Sequence, residues 1–147
     1  MNINFTKKEY RLLLDIFSIA DWVMNSHTVG DNRATEPYRM LEQKFMSYAK
    51  DFECENLIKY DKKLETYFQT AEYEDLETDS RFIDAYEEEV FWEELCSRLA
   101  QRDLLEEKGQ QPVKEMDPIQ RMSEEDLIAE RYNTEFMENG LKNLKIR

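Results

Sequence analysis

The chain is poor in the residues that bend or end a backbone: three glycines and three prolines stand among 147 residues. Sandwiches and barrels need turn residues at short, regular spacing, so this scarcity argues against them. Histidine occurs once, at His27. That removes the paired Glu-x-x-His elements of carboxylate-bridged metal sites in helical bundles, and it leaves any thiol or hydroxyl nucleophile a single imidazole in a polar loop. Cysteine occurs twice, at Cys54 and Cys96, without CxxC spacing. Neither a disulfide framework nor a structural zinc site is supported, and two reduced thiols in a cytoplasmic protein are expected. Long apolar runs are missing too. The stretch YRLLLDIFSIADWVM is interrupted by Arg11, Asp15 and Asp21, so it reads as neither a signal peptide nor a membrane span. Glycine-rich phosphate loops, dinucleotide fingerprints and nucleophile elbows do not occur. A calcium loop starting at Asp75 fails, because Ser80 stands where glycine is required and Tyr86 where the bidentate glutamate belongs.

What is abundant is acid. Asp and Glu number 33 against 20 Lys and Arg, for a net charge of -13. The excess is concentrated: from Glu72 to Glu94, eleven acids face Arg81 alone. A field of that sign repels phosphate backbones and anionic lipids, so no nucleic acid and no membrane is expected as a partner, whereas a basic protein or basic segment is. Charged residues at 36% imply a very polar surface, while 12% aromatics is too many for a disordered chain.

Periodicity divides the chain into helical segments. Thr6 and Glu9 have the spacing of a capping box, and they open a helix to about Asn25 with Tyr10, Leu13, Leu14, Phe17, Ala20 and Met24 on one face. Leu12, Ile16, Ile19 and Val23 widen that face past half the circumference, which predicts a central helix. A second helix is predicted after Thr35, with Pro37 in its first turn and a break near 53–56. The segment NLIKYDKKLETYF suits either a helix or a short extended piece. An acidic helix is predicted from Asp79 or Ser80 to Lys108, closed by Gly109. Pro112 and Pro118 mark a linker over 110–122. Ser123 and Asp126 then suggest the start of a last helix that runs to Glu138 and is closed by Gly140, with a thin apolar face of Leu127, Ala129, Tyr132 and Phe136.

The expected architecture is therefore all-α: an antiparallel, bundle-like domain of about four helices over 1–109, a linker over 110–122, and a C-terminal helical arm over 123–147. The arm ends in a basic tail with Lys142, Lys145 and Arg147, placed to lie across the acidic segment in cis or in trans, and the arm itself offers a route to homo-oligomers.

The acidic helix holds the candidate functional residues. Its expected core side carries Phe82, Ala85, Tyr86, Trp92, Cys96, Leu99, Ala100 and Leu104, and Glu89 and Glu93 fall within it. A buried carboxylate needs a partner; Arg33, Arg39 or Arg131 would serve, and a Mg or Mn site built from Asp21, Glu89 and Glu93 is the sharper alternative. Phe91 falls opposite, with Asp84, Glu87, Glu88 and Glu94 around it. An outward aromatic among acids has the form of a protein-binding anchor with steering charges at its rim. Mimicry of nucleic acid is a further alternative: six carboxylates between Asp84 and Glu94 give about one charge per 2.5 Å of helix, a density like that of DNA over a much shorter span. The sequence thus points to a non-enzymatic interaction or regulatory module without a cofactor, binding a basic partner through Asp84, Glu87, Glu88, Phe91 and Glu94.

Overall fold

The computed structural model describes residues 3–30 and 32–145. Among them the chain is mostly helical, with six helices and one antiparallel hairpin: α1 (Lys7–Asn25), α2 (Glu36–Met46), β1 (Ile58–Asp61), β2 (Thr66–Gln69), α3 (Ala71–Glu74), α4 (Ser80–Lys108), α5 (Gln110–Glu115) and α6 (Pro118–Asn139). Two compact units form, 1–84 and 85–147.

In the first unit, the capping box expected at Thr6 and Glu9 is present: the Glu9 amide donates to Thr6 Oγ1, and the Thr6 amide to Glu9 Oε2 at 2.8 Å. Only part of the broad apolar arc of α1 is covered. Tyr10 and Leu14 are buried, whereas Leu12, Ile16 and Val23 are each more than half exposed. The expectation of a central helix is thus corrected: α1 packs on one side, and its second apolar stripe stays open. The core joins Tyr10 and Leu14 to Met46, Ala49, Cys54, Leu57, Ile58 and Tyr73. Tyr10 stacks on Phe52 at 4.4 Å, and its phenol donates to the Phe45 carbonyl at 2.8 Å, so its one polar atom is satisfied inside.

The expectation of an all-α chain is corrected by the hairpin, which occupies the segment of ambiguous pattern. Ile58 pairs with Gln69 and Tyr60 with Tyr67, the two tyrosine rings lying 4.7 Å apart. Its turn has no glycine. Asp61 Oδ1 instead accepts from the amides of Lys63 and Leu64, and Glu65 takes a positive φ of 52°. Gln43 of α2 fastens the hairpin, accepting from the Tyr67 amide at 2.7 Å and donating to the Tyr67 carbonyl at 3.1 Å. α2 ends at Met46, ahead of the break expected at 53–56, and the chain continues in turns that bury Ala49 and Cys54.

In the second unit, Ala100 and Leu104 of α4 meet Val113 of α5 and Ile128 of α6, with Ala129 and Tyr132 against them. Gly109, at φ 84°, separates α4 from α5 and lets the chain turn. The segment 110–122, expected as a linker, carries α5 and the opening of α6. Pro118 holds Asp117 in extended geometry, and that makes Asp117 the helix cap in place of the expected Ser123: its carboxylate accepts from the amides of Ile119 and Gln120. Leu127, expected on the apolar face of α6, is exposed; Ile128 is buried in its stead.

Candidate functional site

Helix α4 changes character along its length. Its buried residues are Cys96, Ala100 and Leu104, all in the second half. Phe82, Ala85 and Tyr86, expected in the core, are exposed, so the apolar face continues outward as open surface. The reason lies in composition: the acids at 84 and 87–89 stand beside those side chains on the helix, and burying those turns would desolvate several carboxylates at once.

All of the candidate binding residues Asp84, Glu87, Glu88, Phe91 and Glu94 are exposed. Asp84 closes the first unit; the other four belong to the second. Phe91 is 49% exposed, yet it does not hang free. Its ring makes a T-shaped contact with Trp92 at 4.9 Å, Trp92 lies 5.5 Å from Phe136, and Phe136 stacks with Tyr132 at 5.9 Å. A continuous series of rings therefore joins the surface aromatic to the core of the second unit. Glu88 accepts from the Trp92 indole at 2.6 Å, which fixes the plane of that ring. Glu94 pairs with Arg98 at 2.9 Å, both side chains exposed, a geometry worth only a few tenths of a kcal/mol. Glu87 forms no ion pair among the described residues.

The base of the ring series is anchored by a polar cluster. The Tyr132 hydroxyl donates to Asp103, and Arg102 donates to the same carboxylate and to the Tyr132 oxygen. Burial pushes the Tyr132 phenol up, and Asp103 adds to it. Burial works against the Asp103 charge, but the bonds from Tyr132 and Arg102 prevail and hold its carboxyl below the usual range.

Glu89 and Glu93 are exposed rather than buried, which corrects the inference that they require a dedicated partner. They line a groove of about 540 Å³ between α4 and α6 together with Trp92, Cys96, Asp126 and Glu130. Burial raises the Cys96 thiol above its ordinary range and keeps it protonated. Among the described residues no three metal-ligating side chains converge; Asp21, the third member of the alternative site, accepts instead from Asn25 at 2.8 Å within the first unit. Lys142 and Lys145 of the basic tail are exposed and form no ion pair among the described residues, and Arg147 lies outside them.

Trp92, expected in the core, instead links Phe91 to Phe136, and Asp126 and Glu130 join the groove lining; the four-residue spacing of Glu88 from Trp92 is the one local signal of this arrangement in the sequence. What the arrangement offers chemically is charge, aromatic area and rigidity. No helix among the described residues is long and apolar enough to cross a membrane. No protein-family model matches the chain, and neither a curated protein nor a solved structure matches it.

Proposed function

We propose that the chain is a cytoplasmic protein-interaction module that takes a basic partner on the acidic, aromatic surface of α4. The observation that carries this reading is the state of Phe91: half exposed, one helical turn from Glu87, Glu88 and Glu94, and packed on Trp92, which in turn packs on Phe136. A preorganised aromatic loses little conformational entropy on binding, so its burial in a partner's pocket translates into affinity. The acids supply the long-range attraction that brings a lysine- or arginine-rich surface into register. Asp84 extends the acid series by sequence. Binding rather than catalysis is favoured because this surface offers no poised nucleophile, and its thiol, Cys96, is held protonated. The carboxylate-metal reading loses its motive with the exposure of Glu89 and Glu93. Nucleic-acid mimicry suffers from the short span of the charge.

The test is affinity capture from a lysate of the source organism, wild type beside Phe91→Ala, at low and moderate salt with mass spectrometry of the retained proteins. A basic protein held by the wild type and lost from the variant is the expected outcome. Identical retention by both would remove Phe91 from the account.

A further inference from the structure

The first unit contains a feature that the acidic surface does not use. A pocket of about 450 Å³ opens beside α1, and Leu12, Leu57 and Leu76 give it an apolar wall. Lys7, Lys8 and Arg11 line the same pocket. Lys7 pairs with Glu53 at 3.3 Å, but Lys8 and Arg11 form no ion pair among the described residues. Together with Lys7 they make the lining of this pocket locally cationic in a chain whose acids outnumber its cations 33 to 20.

The carboxylate in the lining does not answer them. Asp15 Oδ1 accepts from the Tyr73 hydroxyl and from Thr78 Oγ1, both at 2.9 Å, and the carboxylate forms no ion pair with Lys8 or Arg11 among the described residues. A second, smaller pocket shares Lys7, Arg11, Leu57 and Leu76, and so continues the same pairing of cation and leucine. Apolar walls with a few placed charges are the usual make-up of a small-molecule site. The three cations disfavour a cationic ligand, and the leucines disfavour a small hydrated anion such as phosphate.

We propose that this pocket binds a small carboxylate bearing an apolar chain, with its head on Lys8 and Arg11 and its chain against Leu12, Leu57 and Leu76. The carboxylate gains charge-assisted hydrogen bonds from two cations otherwise spent on water, and the chain removes leucine surface from solvent. This site is independent of α4, and its failure would leave the interaction reading untouched.

Decanoate, titrated into the full chain below its micelle concentration, is the probe, with decanol and decyltrimethylammonium as controls. The methyl resonances of Leu12, Leu57 and Leu76 are the readout. Decanoate is expected to shift them saturably, and the Lys8→Ala, Arg11→Ala double variant to bind roughly tenfold more weakly or worse. Leu76→Glu, which sets a like charge beside the chain, should weaken it comparably. All three positions are exposed, and unchanged methyl resonances elsewhere would show that the variants fold. Decanol binding as tightly as decanoate, unchanged binding by the double variant, or no response at these methyls would each overturn the proposal. So would self-association of the wild type that the double variant loses, since that assigns the pocket to the acidic helix of a second copy.

Discussion

The phenol of Tyr73 donates to the Asp15 carboxylate at 2.9 Å and joins α3 to α1 across 58 positions of sequence. Tyr73 is buried, and its hydroxyl is pushed upward first by that burial and then by the Asp15 bond. Tyr73→Phe keeps the ring and removes one hydrogen bond to a charged acceptor. A loss of about 1–2 kcal/mol is expected in urea denaturation, at the low end because Asp15 retains Thr78 and lines an open pocket. An unchanged midpoint would mean that water replaces the phenol fully.

Glu42 gives the first unit a pH dependence. It shares a pocket of about 130 Å³ with Asp21, Ile16, Phe17 and Leu41. Burial, then the Asp21 charge, raise its carboxyl to about 7, with Arg39 opposing. A carboxyl whose folded value lies above its unfolded 4.5 binds its proton better when folded, so stability falls as pH rises between the two values and is lowest above them. Glu42→Gln should therefore stabilise the chain at pH 8 by about 1–2 kcal/mol, discounted for partial exposure. The gain should vanish near pH 4.5. Thermal melts at both ends of the range, with Asp21→Asn expected to shrink the effect, check this.

Leu104, fully buried in the second core against the contacts of α5 and α6, tests the packing behind the aromatic series. Leu104→Ala should cost about 2–4 kcal/mol through lost transfer energy and the cavity left behind. Trp22 and Trp92 are the two tryptophans, so a Trp22→Phe background reports the change through Trp92 emission. A cost under about 1 kcal/mol would show that the core collapses around the gap.

Tyr132→Phe removes the donor that holds Asp103 and so loosens the foot of the ring series. The depressed Asp103 carboxyl contributes stability above its unfolded value, and that contribution is lost as pH falls through the folded one. The variant should lose about 1 kcal/mol at neutral pH and differ less from the wild type in acid, read by denaturation at pH 7 and pH 3.

Local signals in the sequence are legible where one physical effect dominates. The capping box at Thr6 and Glu9, the Gly109 stop and the extent of α4 follow from backbone chemistry that needs no tertiary partner. The hairpin was legible only as an ambiguity: Asp61 and Glu65 make its turn without glycine or proline, using a side-chain bond and a left-handed residue that leave no compositional mark. The start of α6 lies ahead of the expected Ser123 because Pro118 fits the first helical turn and Asp117 before it caps the helix. The sequence is least informative about α1 and the first half of α4. Apolar periodicity identifies a face but not whether anything covers it, and Leu12, Ile16, Phe82 and Tyr86 lie on such a face yet stay exposed. Glu89 and Glu93 are exposed for the same reason. Phe91, which the periodicity sets opposite that face, is exposed as well.

Association and dissociation kinetics with the partner recovered by capture test the central claim most directly, comparing wild type, Phe91→Ala and the Glu87→Lys, Glu94→Lys pair. The account predicts a faster off-rate with an unchanged on-rate for Phe91→Ala, and for the charge pair a slower on-rate whose difference from wild type fades as salt rises. Rates indistinguishable from wild type for both variants would contradict it and move the binding surface off α4.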